Sequence, residues 1–184
     1  MWRLPTLAVT LILSASVTLG SGRQTAASFE FFGAWSNVVV SQSEDPHASG
    51  HSLELWKDRA ALVGFLSEYV GPVADPPIGP LENLTFDAAS GALSFSARMT
   101  LGVTFSAKHK EGAFSRDLYL FRGTLREPTI RGTLERQDHL ENRPATTREI
   151  VLIRTERNPY WDGKTLKDWQ DFHAGILRAR GPKW

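Results

Sequence analysis

Four acidic and imidazole side chains occur together in the stretch "SEDPHASGH", namely Glu44, Asp45, His47 and His51. Carboxylate oxygens and imidazole nitrogens are common ligands of divalent metals, so these residues are the candidates for a metal site. Their spacing matches no familiar metal motif, and the proline and glycine among them are typical of a turn. We therefore interpret the stretch as a solvated loop and keep the metal site as the weaker alternative.

No catalytic motif is recognisable in the chain. It lacks the glycine-any-serine-any-glycine sequence of a nucleophile elbow and the glycine-rich loop that holds phosphates. Scattered serine, histidine and aspartate side chains could meet only through folding, so hydrolase chemistry stays open. We assign no catalytic residue, predict no cofactor and favour a function other than catalysis.

The first residues are typical of a secretory signal peptide. Arg3 precedes an apolar segment that ends near Leu19, and small residues follow. We predict a signal peptide over residues 1–27, cleaved between Gly20 and Ala27, and a single domain over residues 28–184. The apolar segment is too short and too rich in serine and threonine for a membrane span, so none is expected after cleavage.

The amino-acid composition limits the compartments and the partners that can be expected for this protein. The chain has no cysteine, so an exported domain must fold without disulfides, which favours the bacterial periplasm or bacterial secretion. The formal net charge of +1 argues against nucleic acid as a partner.

Apolar residues recur with a period of two along most of the chain, which predicts β-strands. In "LSFSARMTLGVTF", every second residue from Leu93 to Phe105 is apolar, and the pattern predicts one long or bent strand. Turn residues separate eight such segments. The predicted strands are Phe29 to Val40, Ser52 to Lys57, Ala60 to Val70, Leu81 to Asp87, Leu93 to Phe105, Leu118 to Arg126, Thr129 to Gln137 and Arg148 to Glu156.

The sequence "RGTL" occurs twice, at Arg122 to Leu125 and at Arg131 to Leu134. Folding back at the intervening proline would place Gly123 near Gly132 in a hairpin. Paired glycines allow strands to bend sharply or to approach closely, as the corners of a barrel require.

The period changes to three and four after the last strand, which predicts a helix from Thr165 to Arg180. Thr165 and Asp168 have the spacing of a capping box. The apolar stripe includes Trp169, Phe172 and Ile176 and needs a surface to cover it. We expect that surface to be the outer face of the strand from Ile150 to Ile153, which is apolar on both sides.

A closed barrel of eight antiparallel strands would leave no exposed edge. The glycine and tryptophan of "FFGAWSN" in the first strand, together with seven further strands and a final helix, resemble the calycin group, whose best-known members are the lipocalins. The resemblance implies a mainly β fold, an eight-stranded antiparallel up-and-down barrel with a C-terminal helix packed outside.

The same resemblance implies a structural latch that closes one end of the barrel. In it Gly33 and Trp35 match the first-strand motif, and an arginine near the last strand packs across the tryptophan. Arg154 is the first candidate for that arginine and Arg148 the second. The stretch is also similar to the first strand of avidins, in which Asn37 would contact ligand, but a backbone-bonded asparagine is the favoured interpretation.

Three function classes remain open. The first is binding of a small apolar or amphipathic molecule inside the barrel, with Phe95, Met99, Leu101 and Phe105 as candidate lining residues. The second is a protein-interaction or protease-inhibitor-like module of the cell envelope, for which the proline-rich loop from Gly71 to Pro80 is a candidate surface. The third is a small enzyme. An open interior cavity would favour the first class, a packed interior the second, and convergent titratable groups in a pocket the third.

Overall fold

The computed structural model describes residues 29–58, 61–72, 76–99, 101–156 and 163–178. The predicted signal peptide therefore lies outside the described residues. The strands are β1 Phe29–Ser36, β2 Val39–Val40, β3 His47–Asp58, β4 Ala61–Pro72, β5 Ile78–Phe86, β6 Ala92–Arg98, β7 Val103–Thr104, β8 Ala113–Phe114, β9 Asp117–Arg126, β10 Thr129–Asp138 and β11 Thr146–Thr155, and the helix is α1 Leu166–Arg178.

Eight of the strands form a closed antiparallel barrel. Their order around the wall is β1, β11, β10, β9, β6, β5, β4, β3, and β3 pairs again with β1. The predicted mainly β fold with an eight-stranded antiparallel barrel is confirmed, and its architecture is compatible with a calycin-like fold. Strand β2 pairs with the beginning of β3, and β7 pairs with β8 within the connection from β6 to β9.

The seam between the first and the last strand is short. Strand β1 has three register pairs with β11, from Ala34 with Thr155 to Ser36 with Ile153, whereas it has seven with β3. In the described chain, the part of β11 that precedes Ile153 pairs with β10 alone. The first half of β11 consequently has no second partner strand among the described strands, and the wall is open beside it.

The predicted hairpin of β9 and β10 is confirmed in its register. Gly123 faces Gly132, and Leu125 faces Ile130. A methyl group added at either glycine would overlap the backbone of the opposite strand, so the close approach of the two strands requires both glycines.

The long strand expected from Leu93 to Phe105 is interrupted. Strand β6 ends at Arg98, Leu101 forms an isolated bridge with Ile78, and pairing resumes in β7. The reason lies at Gly102, whose φ of +88° is incompatible with an extended strand and brings its backbone against the carbonyl of Pro76. Alternation of apolar residues continues through this bend, which is why the sequence pattern conceals it.

Two apolar clusters lie on opposite sides of the wall. The interior cluster is built from alternate residues of all eight barrel strands and includes Trp35, Leu53, Leu66, Phe121 and Leu134. The outer cluster consists of Trp56 and Phe65 with Trp169 of the helix, and partly buried residues such as Phe172 pack against it.

The helix begins with the predicted capping box. The backbone N–H of Asp168 donates to Thr165 Oγ1 over 3.3 Å, and the Thr165 N–H donates to Asp168 Oδ2 over 2.7 Å. The helix runs from Leu166 to Arg178, and the last two predicted residues lie outside the described ones. No helix in the described ranges has the length and apolar character needed to cross a membrane.

The prediction that the helix packs on the outer face of β11 is wrong. Trp169 packs in one cluster with Trp56 and Phe65 of β3 and β4, whereas Ile153 of β11 is 50% exposed. Strands β3 and β4 present the aromatic side chains of Trp56 and Phe65 on their outer faces, whereas Ile150 of β11 faces the barrel interior and only Val151 and Ile153 face outward there. The helix therefore covers the wall formed by β3, β4 and β5.

Candidate ligand site at the barrel mouth

The residues of the predicted latch meet at one end of the barrel. Trp35 is fully buried, and the guanidinium carbon of Arg154 lies 5.2 Å from the centroid of its ring. A methyl group at Gly33 would overlap the Trp35 ring, so only glycine leaves room for the indole there. Arg154 also forms an ion pair with Glu127 and donates to the carbonyl of Phe32 over 3.2 Å. These contacts fill this end of the barrel, which we call the latch end.

The middle of the barrel is packed with side chains. Phe95 and Met99, two of the candidate lining residues, belong to the interior cluster, and Phe95 stacks on Phe121 with ring centroids 5.0 Å apart. The other two candidates lie after the end of β6: Leu101 is half-buried, and Phe105 is 40% exposed. The structure thus separates the four residues into a packed pair and a pair near the opposite end.

A cavity of about 210 Å³ opens at the end of the barrel opposite the latch, which we call the mouth pocket. Its walls come from β3, β4, β10 and β11 and combine charged with apolar side chains. They are Ser49, Gly50, His51, Glu68, Tyr69, Val70, Leu134, Arg136, Thr146 and Arg148.

The interior face of the barrel becomes polar at the mouth because β3, β4 and β11 each have a polar residue two positions beyond the last apolar residue of the interior face. His51 precedes Leu53 by two residues, Glu68 follows Leu66 by two, and Arg148 precedes Ile150 by two. Residues two apart in a strand face the same side, so these polar side chains share the barrel interior with the core. His51 and Glu68 are also register partners on β3 and β4.

An arginine and a histidine bridge the open part of the wall between β11 and β3. Arg148 Nη2 lies 3.0 Å from Nε2 and 3.1 Å from Nδ1 of His51. An arginine can only donate, so the ring nitrogen that receives its hydrogen bond must be unprotonated. Burial lowers the pKa of His51 to about 3, and the charges of Arg148 and Arg136 act in the same direction. His51 is therefore neutral at physiological pH.

A buried carboxyl group and a tyrosine face each other beside this histidine. The hydroxyl of Tyr119 donates to Glu68 Oε1, and its ring meets the His51 ring edge-to-face at 5.4 Å. Glu68 Oε2 is buried and has no hydrogen-bond partner among the described residues. Burial raises the pKa of Glu68, although the charge of Arg136 opposes the shift. Burial, followed by the charge of Glu68, raises the pKa of Tyr119, so the phenol stays protonated.

The charge of Arg136, the second arginine of the mouth pocket, is balanced by a carboxylate of the protein. Arg136 donates from Nε and Nη2 to the two carboxylate oxygens of Asp117, at 2.9 and 3.0 Å. Asp117 is 1% exposed, and its Oδ2 accepts a further hydrogen bond from Ser115 Oγ over 2.9 Å. Although burial opposes the positive charge, the hydrogen bond to Asp117 and the nearby Glu68 raise the pKa of Arg136. This bidentate pair holds β9 against β10 at the mouth.

The four weak metal candidates do not converge. Glu44, Asp45 and His47 are exposed in the loop before and at the start of β3, where Asp45 and His47 approach to 4.0 Å, whereas His51 is buried in the barrel. No group of three or more potential metal ligands occurs within the described ranges.

The side chain of Asn37 is bonded to the backbone, as the sequence interpretation favours. Its Oδ1 accepts a hydrogen bond from the backbone N–H of His51 over 2.8 Å.

Most of the mouth residues were not identified from the sequence. The sequence pattern assigns no role to Glu68, Tyr119, Arg136 or Asp117. It gives His51 only as a possible metal ligand in a loop, and Arg148 only as the second candidate for the latch. A usable signal was present: each of these residues continues the apolar parity of its strand at the end that faces the mouth. Charged residues on an apolar face at several strand ends predict a polar site at one end of a barrel.

Comparisons of the chain with protein-family models, with curated proteins and with solved structures find no match.

Proposed function

We propose that this protein is a barrel that binds a small amphipathic molecule in the mouth pocket. The observation that carries the proposal is Glu68 Oε2, a buried oxygen that has no hydrogen-bond partner in the described part of the chain and lies in a pocket that also has apolar walls. A buried polar atom left without a hydrogen bond costs about 1–3 kcal/mol, and a ligand that supplies the partner recovers that cost. A purely apolar ligand would leave this oxygen without a hydrogen bond.

The size of the pocket limits the ligand. A cavity of about 150 Å³ is large enough for a benzene ring, and the mouth pocket measures about 210 Å³. The ligand therefore has about the size of a singly substituted ring. A long apolar chain would have to displace the packed interior around Phe95 and Phe121, which form a stacked pair. This supports the amphipathic alternative over the purely apolar one.

A second candidate function is interaction with another envelope protein through the loops at the mouth. Two bulky side chains of the β6–β9 connection support it, because Phe105 and Phe114 are 40% and 50% exposed. The packed interior is also what a protease-inhibitor-like module would have. Replacement of Phe114 by Ser should then abolish capture of a partner without changing the unfolding temperature.

Membership of the calycin group and export to a bacterial periplasm or medium belong to the same proposal. The barrel architecture and the contact of Arg154 with Trp35 support the former. The apolar N-terminal sequence and the absence of cysteine support the latter.

The direct test is native mass spectrometry of the protein purified from the cells that make it. Thr146 is an exposed residue of the pocket rim, so a Thr146→Trp variant can place an indole across the opening. Its matched control is Thr147→Trp, because Thr147 is also exposed and is not among the residues that line the pocket. We expect a small bound molecule in the wild type and in the control, and its loss from Thr146→Trp. A molecule retained by both variants, or none in the wild type, would contradict this function.

A further inference from the structure

We infer that the ligand of the mouth pocket is a small organic carboxylate, held by the guanidinium of Arg148 and the carboxyl group of Glu68. The inference rests on the proposed function and names the chemical class of the ligand for the same site. It follows from the charges, the hydrogen-bonding capacity and the apolar walls of the pocket.

Arg148 is the unmatched charge of the mouth. In the described part of the chain its only hydrogen-bond partner is His51, which is neutral, and it forms no salt bridge with a carboxylate. The other arginines nearby are matched: Arg136 by Asp117, and Arg143 by Glu141 and Asp138. An incoming anion can therefore pair with the Arg148 guanidinium without displacing a carboxylate of the described chain.

Glu68 supplies the second contact. Tyr119 donates to Oε1, and the buried Oε2 has no hydrogen-bond partner among the described residues. Burial raises the pKa of Glu68 and so favours its neutral form, in which Oε2 donates to the ligand. The other titratable groups around it do not compete for the ligand, since His51 is neutral, Tyr119 is protonated, and Asp117 is occupied by Arg136. Two donors thus point into one pocket from β4 and β11, as the two oxygens of a carboxylate require.

The apolar walls select an organic acid over a bare inorganic anion. Val70 and Leu134 line the pocket together with the half-buried Tyr69. Inorganic phosphate or sulfate would leave these side chains uncovered and would gain nothing from their burial. A ring or short chain that carries one carboxylate covers the apolar wall and reaches both donors.

The test uses three probes of similar size and different charge: benzoate, benzyl alcohol and benzylammonium. Isothermal titration calorimetry at pH 7 with the full chain should show benzoate binding at least about tenfold more tightly than benzyl alcohol, since hydrogen bonds to charged groups contribute a factor of that order. Benzylammonium should bind most weakly. Arg148→Gln should lower benzoate affinity at least about tenfold and change benzyl alcohol affinity less than about threefold.

Arg143→Gln is the matched control, because it removes the same charge from a mouth arginine that already has carboxylate partners. It should change benzoate affinity less than about threefold. Glu68→Gln keeps a neutral donor at position 68 and should largely preserve benzoate binding, whereas Glu68→Leu should weaken it by about tenfold.

The possible results separate this inference from the proposed function. Equal affinity for benzoate and benzyl alcohol, with both blocked by Thr146→Trp, would refute the carboxylate and leave the pocket as a binding site. Tightest binding of benzylammonium would also refute it and would show that Glu68 is ionised. If none of the three probes binds the wild type, the carboxylate is refuted, and the bound-ligand measurement described above decides the proposed function independently.

Discussion

His51 makes folding stability depend on pH in a direction that the structure determines. In the unfolded chain its pKa is near the ordinary histidine value of 6.5, and in the folded barrel burial and the neighbouring arginines lower the pKa to about 3. Between these two values the unfolded state binds a proton that the folded state does not. The contribution of His51 is therefore fully present above pH 6.5 and is lost as the pH falls towards 3.

The magnitude follows from the width of that interval. Each pH unit below 6.5 costs about 1.4 kcal/mol, so the loss reaches roughly 3 kcal/mol at pH 4. Glu68 acts with the opposite sign: its raised pKa makes the folded state bind the extra proton, so its contribution grows as the pH falls. The pH profile of the wild type alone would therefore mix two opposing effects.

Comparison with His51→Gln isolates the histidine, because glutamine keeps an acceptor for Arg148 and does not titrate. The assay is urea unfolding of both proteins at several pH values from 7.5 to 4, with the free energy of unfolding extrapolated to water. We expect the wild type to be the more stable protein at pH 7.5 and its advantage to shrink by roughly 3 kcal/mol by pH 4. A difference that stays constant over this range would refute the neutral, buried state of His51.

The remaining predictions concern the two aromatic anchors of the fold. Trp35→Ala should lower the free energy of unfolding by about 3–5 kcal/mol. Arg154→Ala should lower it less, by about 0.5–1 kcal/mol, because the contact of Arg154 with the ring is half-exposed. A Trp35→Ala protein that kept wild-type stability but no longer bound ligand would make Trp35 a residue of the binding site. Trp169→Ala should uncover the outer faces of β3 and β4, lower the free energy of unfolding by about 3 kcal/mol and promote aggregation on heating. Its control is the exposed Gln170→Ala, and equal unfolding temperatures for the two variants would show that the helix adds little to the fold.

Much of the fold could be predicted because alternation and turn residues are local properties of the sequence. The hairpin of β9 and β10, with Gly123 opposite Gly132, followed from a repeated four-residue pattern and a proline turn. The helix followed from its stripe and its capping box. The docking face did not follow, because choosing between β11 and the wall of β3 and β4 requires the three-dimensional position of the helix, which its own periodicity does not specify.

The candidate site was harder to predict because its residues are far apart in the sequence. His51 and Arg148 are separated by about a hundred residues and come into contact only when β3 and β11 take their places in the barrel wall. The orphaned oxygen of Glu68 is likewise a consequence of burial, which no local pattern reports. Residue type and strand parity could have nominated these positions, but only the closed barrel shows that they share one pocket.

The short seam also determines the order in which the barrel can be completed. A chain that emerges from its N-terminal end presents Trp35 about 120 residues before its partner Arg154, which is roughly 6–24 s at a synthesis rate of about 5–20 residues per second. During that interval β1 can pair with β3, but its free edge and its apolar face have no β11 to cover them. Until β11 is made, the chain is therefore an open sheet with an uncovered apolar face, and it becomes a barrel only when this last strand pairs with β1.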